Sequence, residues 1–126
     1  MTGSLLAQLQ TPEARRAVGE AVRSLLSRWA VHETRQAALL GVADMSDITR
    51  TGLLPNEAAV LERAGHLLAI DRALKRLHAD QSVADWWVRS PSEAFGGFSP
   101  LTVMLSGVEG IERVRTYLEA QLKAAE

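Results

Sequence analysis

Residues 55–78 read PNEAAVLERAGHLLAIDRALKRLH, and their reading decides the fold class. Pro55 suits a first helical turn, where a missing N–H is harmless. After it, Val60, Ala64, Leu67, Leu68, Leu74 and Leu77 fall on one broad arc at helical spacing. The pattern predicts one long helix, opening at Pro55 and running to about His78. An arc this wide needs cover from other helices or from a second copy of the chain, so a homodimer is expected. Asp71 lies inside the arc, where an unpaired charge would be costly. It has two candidate partners: Lys75 at i+4, or an arginine across a helix–helix or dimer interface.

Upstream of this helix, Thr11-Pro12-Glu13 supplies a cap, a first-position proline and an acidic first turn. Val18, Ala21, Val22, Leu25 and Trp29 then recur on one face, with Arg16 and Arg23 on the other. A second helix spans His32 to Leu40, and Gly41 stops it. Asp44 can cap a short third helix, about Met45 to Thr51, which Gly52 ends.

Downstream, residues 81–90 read as a helix carrying Val83, Trp86, Trp87 and Val88. The run Ser90-Pro91-Ser92 followed by Gly96-Gly97-Phe98-Ser99-Pro100 cannot continue it. Ser99-Pro100 restarts a helix as cap and first position, with Leu101, Val103, Met104 and Leu105 apolar. The last helix, about Glu109 to Lys123, aligns Ile111, Val114, Leu118 and Leu122. No stretch alternates like a strand, and there is no internal repeat. The expected fold is all-α.

The bulk properties narrow the function. The 126 residues carry no cysteine, which excludes a disulfide framework, a thiolate nucleophile and a Cys-based metal site. Charged residues interrupt every apolar run before it could span a bilayer. The first ten residues lack the basic start of a secretory signal, so a cytoplasmic location is expected. Net charge is −1 but unevenly spread: residues 1–78 hold ten basic and eight acidic side chains, residues 79–126 four and seven. The first part permits nucleic-acid contact and the second disfavours it. His32, His66 and His78 do not form a metal-ligand or catalytic pattern. No enzyme chemistry, cofactor or metal is expected. Gly96-Gly97-Phe98-Ser99-Pro100 lacks the lysine and the preceding strand of a phosphate loop, and reads instead as a corner between helices.

The residues Trp87-Val88, Pro91, Gly96-Gly97, Ser99-Pro100-Leu101, Leu105, Gly110, Val114 and Leu118 resemble the toxin-binding domain of Xre/MbcA/ParS antitoxins. Ser92 stands where that family usually has asparagine, and Thr102 where an acidic residue is common. Trp29, Leu39-Leu40-Gly41, Arg50 and Gly52 resemble the family's helix-turn-helix half, and 61–74 its linking helix. The resemblance implies a tail over 1–10, a helix-turn-helix region with the long helix over 11–78, and a toxin-binding domain over 79–126. It implies an antitoxin that neutralises a cognate toxin, commonly an NAD-consuming RES-domain protein, and represses its own operon through operator DNA. A stand-alone helix-turn-helix regulator is the alternative, and a helical interaction module without a DNA role is a third.

Each motif has a physical logic. Ala37 and Gly41 are four apart, as a helix-turn-helix requires: a small residue at the crossing, then one able to take positive φ. The third helix would offer Ser46, Thr49 and Arg50 to base edges. Arg16 and Arg23 would meet phosphates. Asp44 and Asp47 oppose phosphate, and the apolar residue expected after the turn comes one place late, at Ile48. Three helices that merely pack together remain the other reading. For the toxin, the candidate residues are Trp86, Trp87, Pro91, Phe95, Gly97, Phe98, Ser99, Pro100 and Arg115. Adjacent tryptophans point about 100° apart on a helix, so either one lies in the core and the other at a dimer or toxin interface, or both pack against the final helix. Phe95 and Phe98 flank the glycine pair and are expected either at least partly exposed, as partner anchors, or folded inward, as braces of the corner.

Overall fold

A computed structural model describes residues 10–126, so the tail expected over 1–10 lies outside the described residues except for Gln10. The described residues form α1 (Pro12–Arg28), α2 (Glu33–Leu40), α3 (Ser46–Thr51), α4 (Ala58–Leu77), α5 (Gln81–Arg89), a 3₁₀ turn (Glu93–Phe95), α6 (Pro100–Leu105) and α7 (Val108–Ala125). The fold is all-α, with no strand among these residues.

α4 is the centre. It packs along α7 over its greatest length and also meets α1, α2 and α5. Val60, Ala64, Leu67, Ile70 and Leu74 are therefore buried within one chain. The apolar arc that suggested a second copy is largely covered internally. Buried side chains from Val22 to Leu118 form one contiguous core that crosses residue 78 without a break.

The long helix starts at Ala58, not Pro55. Leu54 is fully buried, and Arg15 Nη1 donates to its carbonyl at 3.0 Å. These contacts hold the segment after α3 against α1. Gly19 permits the approach, since a Cβ there would stand 3.0 Å from the Gly52 carbonyl oxygen.

The helix ends follow local chemistry. Thr11 caps α1 through the Ala14 N–H, and Ser99 caps α6 through the Thr102 N–H. Gly41 and Gly52 close α2 and α3 in the left-handed conformation. Asp80 caps α5, accepting from the Ser82 N–H at 2.9 Å and the Ser82 hydroxyl at 2.7 Å. These bonds, the hydroxyl's first, hold its carboxyl below the ordinary carboxylate value.

Asp71 uses both of its candidate partners. Arg28 grips it from α1 with two guanidinium nitrogens, at 2.8 and 3.3 Å, and Lys75 approaches at 3.2 Å. Arg28 also reaches Asp85 of α5 at 3.1 Å. One arginine thus ties three helices together. The hydrogen bond it donates to Asp71 is the main reason the Arg28 guanidinium is held above its ordinary pKa, against the opposing effect of burial.

Candidate partner-binding surfaces

The C-terminal corner is built around a cluster of three rings. Trp87 stacks on Tyr117 of α7, with centroids 6.2 Å apart and planes 6° from parallel. Phe95 meets both edge-on, at 6.3 and 5.2 Å, and Arg113 lies over its ring at 5.4 Å. Phe95 is 3% exposed, which corrects the expectation of an exposed aromatic at this position. Its 3₁₀ turn folds inward, so the ring braces the corner instead of facing outward. No pattern of period 3.6 or 2 runs through Ser92–Gly97, which is why the direction of the ring was not readable.

The backbone closes the corner. Gly97 N–H donates to the Ser92 carbonyl at 2.8 Å, and Ser92 N–H to the Phe98 carbonyl at 3.1 Å. Gly96 and Gly97 take φ of 66° and 90°, values that favour glycine. Phe98 is thereby turned out to solvent, 62% exposed. Pro91 is exposed, Ser99 half-buried, and Pro100 buried at the start of α6. Behind the corner, Gly110 lets α7 touch α6, since a Cβ there would collide with the Val103 carbonyl.

The tryptophan pair divides as its helical offset requires. Trp87 is half-buried in the ring cluster, while Trp86 is 67% exposed beside Val83 on the outer face of α5. A shallow concavity next to it is lined by Arg28, Ser82, Asp85, Arg89 and Ser90. Arg115 lies apart from these rings. It is half-buried on α7, with Nη1 2.9 Å from His66 Nδ1 and Nε 3.3 Å from Glu119.

The second surface is formed by α2, the turn after Gly41, and α3. Ala37 is buried there and Gly41 has φ 76°, as the sequence pattern required. Arg63 of α4 packs against Gly41, so a Cβ at that position would stand 3.1 Å from its Nε. Ile48 and Met45 are both buried, so the late apolar position still anchors α3. Ser46, Thr49 and Arg50 are exposed. Arg50 forms an ion pair with Asp47 at 3.1 Å. Asp44 holds the start of α3 through the Ser46 hydroxyl and N–H, which lower its pKa. On α1, Arg16 is exposed and Arg23 half-buried.

The three histidines are dispersed: His32 caps α2, His78 ends α4, and His66 faces α7. The neighbours of His66 are Glu62, Glu112 and Arg115. Only the Glu62–His66 step of four residues was visible in the sequence. No helix among the described residues is long and apolar enough to cross a membrane.

The model of the antitoxin Xre/MbcA/ParS C-terminal toxin-binding domain matches residues 65–122. The matched region begins inside α4, at Gly65, and takes in the face of α4 that packs on α7. The chain is also 39% identical over 107 residues to uncharacterized protein y4oB of Sinorhizobium fredii, covering 81% of each protein. This chain belongs to the Xre/MbcA/ParS antitoxin family. Its C-terminal domain supports an antitoxin role, and a toxin-binding domain implies a cognate toxin as partner.

Proposed function

We propose that the chain neutralises its toxin through the outward aromatics of the C-terminal corner and represses its own operon through α3. The observation that carries the first half is the division of each aromatic pair. Trp87 and Phe95 build the corner, while Trp86 and Phe98 are left to solvent. Exposed aromatic side chains beside a rigid turn are typical interface anchors. Covering either would contribute about 1.5–3 kcal/mol. The toxin is an NAD-consuming RES-domain protein, and that chemistry belongs to the toxin, with no catalysis by this chain.

For DNA, Ser46, Thr49 and Arg50 reach base edges, with Arg16 and Arg23 on phosphates. The exposure of all three α3 side chains supports this role. Arg50 must first leave Asp47. A homodimer would compete with the toxin for the exposed face of α5 at Val83 and Trp86, because the arc of α4 is already covered. Light scattering of wild type against Trp86→Ser tests that step, and a monomer at high micromolar concentration in both would exclude it.

The functional test is co-expression with the toxin gene from the native operon. Phe98→Ala should lower protection from the toxin while leaving the melting temperature unchanged. Protection undiminished by both Phe98→Ala and Trp86→Ala would rule out this surface. A chain that binds its operator but protects against no neighbouring toxin would be a stand-alone regulator.

A further inference from the structure

We propose that Glu62, His66 and Glu112 form a binding site for one zinc ion, joining α4 to α7. Glu62 and His66 lie one turn apart on α4, and Glu112 comes from the facing helix. His66 Nε2 stands 3.6 Å from a Glu62 carboxylate oxygen and 4.0 Å from one of Glu112, and the three ligand atoms lie within 4.8 Å of one another. Zinc held at 2.0–2.2 Å by nitrogen and oxygen in a tetrahedron separates its ligands by about 3.4 Å. The observed spacings run from about 0.2 Å to as much as about 1.4 Å wider, so the carboxylates must move in to close on an ion. Both glutamates are half-exposed or more and free to close the gap.

A second observation points into the same space. His66 Nε2 is buried and has no hydrogen-bond partner, although it faces two carboxylates. A buried polar nitrogen left unsatisfied is costly. Arg115 explains its state: a guanidinium can only donate, so the bond at 2.9 Å requires a lone pair on His66 Nδ1. The ring proton of the neutral imidazole therefore sits on Nε2, between carboxylates that are just out of reach.

Zinc binding reverses this arrangement. The ion takes the Nε2 lone pair, and the ring proton moves to Nδ1, so the imidazole stays neutral overall. Arg115 then loses its acceptor and is left with Glu119, which its Nε already approaches at 3.3 Å. Arg115 is thus a competitor of the metal, both through the tautomer it selects and through its charge. Two carboxylates and one neutral imidazole balance a divalent ion, with a fourth position open to solvent.

The site can be tested with zinc alone on the full-length chain, in competition with a chromogenic chelator. One equivalent should bind in the micromolar range and raise the melting temperature, because the ion joins two helices. His66→Gln and Glu112→Gln should each weaken binding at least about tenfold. Glu112 is exposed, so its variant keeps the test valid if the His66 variant folds poorly. Replacing both His32 and His78 should leave affinity unchanged. Arg115→Gln should tighten binding, an outcome that a generic surface site would not give. Binding as tight in Glu112→Gln as in wild type, or no micromolar binding in the wild type, would overturn the proposal.

Discussion

Asp71 and Asp80 show how differently two acidic residues can act in one fold. Asp71 is buried and held by two cations, so removing the better one leaves a charge with only Lys75 in reach. Arg28→Ala should destabilise the chain by roughly 1–3 kcal/mol in chemical denaturation. Arg28→Lys should recover only part of this, because a single ammonium cannot bind two carboxylates in the same fork. Asp80 is fully exposed, and its effect is a matter of pH. Its folded-state pKa lies below the ordinary value of 3.8. The cap therefore contributes above about that pH and is lost as pH falls through the lower folded value. The stability gap between wild type and Asp80→Ala should be full at neutral pH and should close in acid. A gap that stayed constant down to the acid transition would show that the carboxylate charge has no part in the cap.

The corner between α5 and α6 is where sequence reading was least complete at the level of elements. The punctuation was legible, and Ser99-Pro100 gave the start of α6 because cap and first-position preferences are local. The 3₁₀ turn and the inward Phe95 were not, since they depend on Trp87 and Tyr117, thirty residues apart in sequence. The start of α4 was misplaced for the same reason: Arg15 and a buried Leu54 override what Pro55 suggests. The partners of His66 lie on α7 and were out of range of any spacing rule. The corner's two phenylalanines should now behave oppositely. Phe95→Ala removes a ring packed against two others and should cost about 3–5 kcal/mol, with protection from the toxin falling alongside stability. Phe98→Ala should leave stability intact. Gly110→Ala should be damaging although it adds only a methyl group, because the Val103 backbone cannot move aside without separating α6 from α7. Thermal melts of the three variants would rank them Phe98→Ala, then wild-type-like behaviour lost in the other two. Equal melting of all three would contradict the assigned packing.

The two surfaces share one core, and this shapes how their functions can be separated. The expected division at residue 79 follows the change in charge balance, yet α4 supplies the buried face for both α1 and α7. A fragment of residues 79–126 would lose the wall against which Ile111, Val114 and Leu118 pack, so it should not fold alone, as circular dichroism would reveal. Core substitutions must likewise impair both activities together. Only exposed positions can separate them, and the structure offers a matched pair in Arg50 and Phe98. Arg50→Ala should reduce operator affinity by about 1–3 kcal/mol if the guanidinium reads a base, while protection from the toxin stays at the wild-type level. The loss should depend on operator sequence, whereas Arg16→Ala or Arg23→Ala should weaken binding more uniformly, through phosphates. Phe98→Ala should do the reverse of Arg50→Ala, binding the operator normally and protecting less. Operator binding measured by electrophoretic shift and protection measured by growth, on the same folded variants, give a two-by-two outcome. If Arg50→Ala abolishes protection while Phe98→Ala leaves it intact, the roles assigned to the two surfaces are reversed.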